Sequence, residues 1–74
     1  MRRATHVIPS SDWTEGDAQG SVTLAFDDRH RRRIRLTDDE GQDFLLDLVE
    51  ATRIADGDGL AIERGGILKV LAAD

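Results

Sequence analysis

Residues 21–37 read Ser21-Val22-Thr23-Leu24-Ala25-Phe26-Asp27-Asp28-Arg29-His30-Arg31-Arg32-Arg33-Ile34-Arg35-Leu36-Thr37, and the fold class turns on their two-residue alternation. Val22, Leu24 and Phe26 recur at every second position, as do Ile34 and Leu36, with Arg33 and Arg35 between them. A pleated strand sends successive side chains to opposite faces, so this period describes two half-buried strands. The polar stretch Asp27-Asp28-Arg29-His30 between them reads as a hairpin loop, because aspartate bonds its own backbone in tight turns.

The rest of the chain is punctuated in the same way. Thr5-His6-Val7-Ile8 suggests another strand, ended by Pro9, which has no ladder donor. Leu60-Ala61-Ile62-Glu63 and Ile67-Leu68-Lys69-Val70-Leu71-Ala72 flank Arg64-Gly65-Gly66, a second hairpin whose glycines supply positive φ at little steric cost. Short strands at this spacing predict an all-β domain of about six strands, sandwich- or barrel-like. One segment reads two ways. Residues 43–55 suit an amphipathic helix with Phe44, Leu45, Leu48 and Val49 on one face. Local pattern leans to that helix, and the alternative is a strand with Phe44, Leu46 and Leu48 inward, followed by a turn over residues 53–57.

The bulk numbers narrow the function. At 74 residues the chain is a single domain that buries only about 60 % of its unfolded surface, which leaves little room for a deep cavity. Cysteine is absent, excluding disulfides, thiol catalysis and the usual cysteine-based zinc site. The net charge of −5 argues against a general polyanion binder, so no nucleic-acid partner is expected. No apolar run approaches the ~20 residues of a membrane helix and the start lacks a signal core, so the reading is cytoplasmic, with no membrane partner.

Chemistry-bearing constellations are few. His6 and His30 lie in different segments without ligand-like spacing, so no metal site is expected. A calcium loop starting at Asp56 needs an oxygen ligand fifth, glycine sixth and glutamate twelfth, where this chain has Leu60, Ala61 and Ile67. The Asp56-Gly57-Asp58-Gly59 stretch reads better as a turn presenting Leu60 to the core. No nucleophile elbow or triad order is present, and only Asp47 among the acids lies between apolar residues. Its strand parity sends it outward, beside an arginine of a neighbouring strand. No enzyme and no cofactor is expected.

Arg31, Arg33 and Arg35 are the distinctive feature: a row of guanidinium forks suited to carboxylates or phosphates. Two readings stand, a solvated face paired with acids of adjacent strands or a docking surface for an acidic partner. Trp13, in the polar stretch from Pro9 to Gly20, either folds over a core edge or anchors a partner.

Taken in order, the Arg31–Thr37 strand, the Gly41 turn, Phe44-Leu45-Leu46-Asp47-Leu48, the Ile54–Leu60 turn and the Ile67–Ala73 strand resemble the N-terminal half of the UreE family of urease accessory proteins. The resemblance spans about Thr5 to Ala73 and favours the strand reading of residues 43–48. It implies a domain of two small packed β-sheets over residues 1–74, described in the family as peptide-binding, with the C-terminal metal-binding domain absent. It further implies a role in delivering nickel to apo-urease, with urease apoprotein and other accessory proteins, including a GTPase, as partners. Nickel then belongs to the missing C-terminal domain, and the domain alone is expected to be monomeric. The competing reading is a swapped-hairpin DNA-binding module of the antitoxin or transition-state-regulator type, which also carries an arginine-rich strand and a Gly-Asp turn. The acidic net charge weighs against it.

Overall fold

Alternation becomes burial in every strand of the computed structural model, which describes residues 1–73. The strands are β1 (Arg2–Ile8), β2 (Gly20–Ala25), β3 (Arg33–Thr37), β4 (Asp43–Asp47), β5 (Gly59–Ile62) and β6 (Ile67–Ala73). Three short 3-10 turns, Ser10–Asp12, Glu15–Asp17 and Phe26–His30, complete the regular structure. All strands join one sheet in the order β2-β6-β5-β1-β4-β3. A flat sheet is only about 10 Å thick across its packed face. The extents here are 26 × 25 × 24 Å, so the sheet curls into a nearly closed barrel around a single core. The all-β, barrel-like, six-stranded architecture expected from the sequence is therefore present, with β1 tying the β2-β6-β5 group to the β4-β3 pair.

The core takes the inward residues of every strand. Val22 and Leu24, Phe44 and Leu46, Leu60, Leu68 and Val70 are each no more than 2 % exposed, and Ala4, Leu36, Leu48 and Ile62 complete the layer. Each such aliphatic or aromatic side chain contributes about 1.5–3 kcal/mol by leaving water. The ambiguous segment is a strand. Phe44, Leu46 and Leu48 are buried at period two while Val49, which a helix would have buried, is 89 % exposed. Ile54 then plugs the core from an irregular segment, 1 % exposed, its N–H donating to Arg29 O at 2.9 Å.

Two hairpins are antiparallel, β3–β4 and β5–β6. The β5–β6 turn is the one expected, with Gly65 and Gly66 at φ 111° and 101° and Arg64 also left-handed at 80°. Two parallel pairings join distant segments: β1 with β4, and β2 with β6.

The expected hairpin between residues 21–26 and 33–37 does not form. β2 pairs with β6, β3 pairs with β4, and residues 26–30 coil into a 3-10 turn. That turn starts at Phe26, so the period breaks one residue early. Phe26 leaves the face shared by Val22 and Leu24 and is 58 % exposed. Its ring lies 5.2 Å from that of His30, with the Arg29 guanidinium 5.5 Å above it.

Buried Asp58 builds the turn that presents Leu60. Its carboxylate accepts from Ser10 N at 3.1 Å and Ala55 N at 2.9 Å, while its N–H donates to Ala55 O. Gly59 follows because no side chain fits there. An added Cβ would lie 2.7 Å from Ile67 Cγ2 and 3.0 Å from Trp13 Cε2.

Gly59→Ala is therefore expected to cost about 1–3 kcal/mol, the usual penalty of overpacking, read as a lowered thermal midpoint. Arg64→Gly is expected to do the opposite, raising stability by about 1 kcal/mol by relieving a left-handed L-residue. Urea denaturation of both variants checks the pair.

Candidate functional site

The arginine strand sits at the end of the sheet. β3 is bonded on one side to β4 and is the last strand in the order. Its odd-numbered residues face outward: Arg33, Arg35 and Thr37 are exposed, whereas Ile34 is half-buried and Leu36 buried. Arg31 is exposed too, but it precedes the strand, because the 3-10 turn runs to His30. The strand face thus carries two of the three expected arginines, with Arg31 extending the charge just ahead of it.

Acids of the neighbouring strand answer part of this charge. Arg35 donates through Nε and Nη2 to one oxygen of Asp43, at 3.2 and 2.8 Å, and Thr37 Oγ1 donates to the other at 2.7 Å. Those bonds, the threonine hydroxyl first and the guanidinium second, hold the Asp43 carboxyl below the usual carboxylate range. Asp47 faces outward as its parity requires and accepts from Arg3 Nη2 of β1 at 2.6 Å. That bond lowers its pKa most, with the Arg33 charge adding to it. Arg3 is in turn raised by its bond to Asp47 and by the charge of Glu63. Exposed pairs of this kind are worth about 0–1 kcal/mol each. Arg31 and Arg33 make no hydrogen bond or ion pair with a described residue.

The turn after β3 draws the sheet ends together. Asp38 is buried and accepts from Arg2 Nη2 at 2.8 Å, Glu40 N at 3.0 Å and Gln42 N at 2.9 Å. The arginine bond, then the Gln42 amide, pulls its pKa down. Asp39 reaches across to β2. Its N–H donates to Ser21 O at 2.9 Å, and its carboxylate accepts from Thr23 N at 3.1 Å and Thr23 Oγ1 at 3.0 Å.

Trp13 is not part of this face. Its indole packs against Gly59 of β5, three strands away from β3, and its Nε1 is buried without a partner. His6 stays beside Thr5, and His30 beside Phe26. Among the described residues, no group of three or more His, Cys, Asp or Glu side chains is arranged to hold a metal ion. Among the same residues no helix is long and apolar enough to cross a membrane. The residues that sequence reasoning missed are Arg2, Arg3 and Asp39. The first two belong to a strand that starts at Arg2 rather than Thr5, and their roles depend on a parallel pairing with β4 that no local pattern announces.

Comparison with known proteins gives a consistent result. Residues 4–73 match the family described as UreE urease accessory protein, N-terminal domain. A urease accessory protein UreE of Bradyrhizobium sp. (strain BTAi1) is 49 % identical over 73 residues, covering 99 % of this chain and 35 % of that protein. Those of Beijerinckia indica and Cereibacter sphaeroides are 42 % and 36 % identical, with 42 % and 40 % of their lengths covered. The chain thus spans between about a third and two fifths of the length of these relatives.

Three aspartates with depressed pKa values predict acid sensitivity. Each binds a proton more weakly folded than unfolded, so its stabilisation is complete above the ordinary aspartate value of about 3.9 and is lost as pH falls through the folded value. The urea midpoint is expected to hold at neutral pH and drop as pH falls below about 4, with a smaller drop in Asp38→Asn, which starts lower. An acid profile unchanged by that substitution contradicts the role given to Asp38.

Proposed function

The chain belongs to the UreE urease accessory protein family as its N-terminal domain, and from that premise we propose that it is the protein-docking unit of a nickel metallochaperone. In this reading the domain is not catalytic and holds no nickel. It recognises urease apoprotein or the other urease accessory proteins, the GTPase among them, while nickel travels as cargo on the C-terminal domain. The setting is the cytoplasm, and residues 1–74 act as one monomeric unit.

The observation that supports docking is the exposed arginine group on the last strand of the sheet. Among the described residues Arg31 and Arg33 have no ion-pair partner, Arg35 keeps its Nη1 free of Asp43, and all three stand out from a chain of net charge −5. A concentrated positive edge on an acidic protein gives orientation and rate of encounter with an acidic partner. The relatives' name, urease accessory protein, supports the choice of partner.

Arg33→Glu and Arg35→Glu are each expected to weaken binding to the urease apoprotein–accessory protein mixture about tenfold, or ~1.4 kcal/mol, by calorimetry. Wild-type affinity should also fall as salt rises. Full affinity in both variants removes the arginines from the docking reading. Nickel titrated into the chain alone should give no sub-micromolar site; finding one would overturn the cargo assignment.

A further inference from the structure

The backbone of β3 is as distinctive as its side chains. In an antiparallel pair, residues alternate between bonding the neighbour and pointing away from it. Leu48 N donates to Arg32 O at 2.9 Å and Asp38 N donates to Gln42 O at 2.8 Å, so the even-numbered residues 32–38 bond the β4 side. The N–H and C=O groups of Arg33, Arg35 and Thr37 therefore point off the sheet, along the same residues whose side chains face outward.

The opposite edge of the barrel opening is treated differently. On β2 two of the outward groups, Ser21 O and Thr23 N, are satisfied by Asp39. No corresponding described residue covers β3. Its register with β4 runs without a bulge from Arg33 to Thr37 and includes no proline, so of the devices that blunt an exposed edge it keeps only its short length and the charges of Arg33 and Arg35. Ile34, inward-facing beside fully buried Leu46, is itself only half-buried, so the core is less completely covered along this edge than elsewhere.

We propose that β3 receives an extended acidic segment of a partner protein as a seventh strand. The inference rests on the docking reading and supplies its mode. Backbone groups of Arg33, Arg35 and Thr37 bond the incoming segment irrespective of its sequence, as in other strand-addition complexes. Side chains of an added strand alternate, so those on the outer face meet Arg33 and Arg35, and those between turn inward beside half-buried Ile34. The segment selected has carboxylates at alternate positions with small aliphatic residues between them. Charge decides the occupant: Arg31 and Arg33, without an ion-pair partner among the described residues, and the free Nη1 of Arg35 line the edge, and an added carboxylate completes each fork.

The test uses the blocked hexapeptide acetyl-Glu-Val-Glu-Val-Glu-Val-amide, its analogue N-methylated at alternate amides in both phases, and the Lys-Val analogue, titrated into the ¹⁵N-labelled chain. The Glu-Val peptide should slow exchange of the Arg33, Arg35 and Thr37 amides by about tenfold or more when saturating. N-methylation in the edge-facing phase should abolish this, and the Lys-Val peptide should bind at least about tenfold more weakly. Thr37→Pro removes one outward N–H without touching the β4 ladder and should weaken binding, whereas Thr37→Val should not. A Glu-Val peptide that binds without protecting these amides, or equally well when N-methylated in either phase, overturns strand addition but leaves the arginine docking reading in place. So does failure of the peptide to bind while the arginine-dependent complex with the urease proteins persists. If that complex is itself insensitive to Arg33→Glu and Arg35→Glu, the docking reading falls first.

Discussion

Asp38 and Asp39 hold the sheet in its curled form, and the rest of the molecule depends on that curl. A chain of 74 residues without cysteine has neither a second layer of helices nor a covalent clamp to cover its aliphatic face. Its one means of enclosing Phe44, Leu46, Leu60 and Val70 on all sides is to roll the sheet over them. Asp38 closes the β3–β4 hairpin from inside and fixes Arg2 over the Phe44 ring, 5.8 Å from its centroid. Asp39 then takes the free groups of β2. A carboxylate that accepts several N–H bonds at a turn replaces the water those groups would otherwise need. Asp58 does the same work at the opposite turn, where it orders the approach to Leu60.

Closure stops short of completion between the two end strands, β2 and β3. The residues that would pair β2 with β3 are occupied on one side only, so the barrel keeps an open edge. That edge carries the most concentrated positive charge of an acidic chain. Arg35 is partly neutralised by Asp43 and Arg33 lies near an Asp47 already committed to Arg3. The paired reading of the arginine row holds for Arg35, which bonds Asp43 on β4, and the docking reading stands as the proposal made for the rest of the row. The chain belongs to the UreE family, and the docking proposal for this edge rests on that membership.

Local pattern made the strands legible and long-range pairing did not. The period of two in Val22-Thr23-Leu24 and Ile34-Arg35-Leu36 reports burial on one face, and that is a property of neighbouring residues. The outward placement of Asp47 beside an arginine followed from parity alone. The β2–β3 hairpin was misread because Asp27-Asp28 carries turn chemistry, and turn chemistry does not reveal whether the strands on either side bond each other. Parallel pairings such as β1 with β4 leave no mark on a short stretch of sequence, since their register is set by packing of residues about forty positions apart. For the same reason Arg3 and Asp39 escaped notice, while Arg33 and Arg35 stood out by composition. Trp13 read as either packing or anchoring, and its place against Gly59, close enough to leave no room for a Cβ, is a contact that only the assembled structure contains.

The claim on which most depends is that the sheet ends at β3 with alternate backbone groups unpaired. Amide hydrogen exchange of the free chain, resolved residue by residue, tests it most directly. Ile34 and Leu36, bonded to β4, should exchange slowly, and Arg33, Arg35 and Thr37 should exchange at rates close to those of an exposed loop. Equal, strong protection at all five positions would contradict the account, because it would mean that β2 and β3 bond each other and the barrel has no open edge.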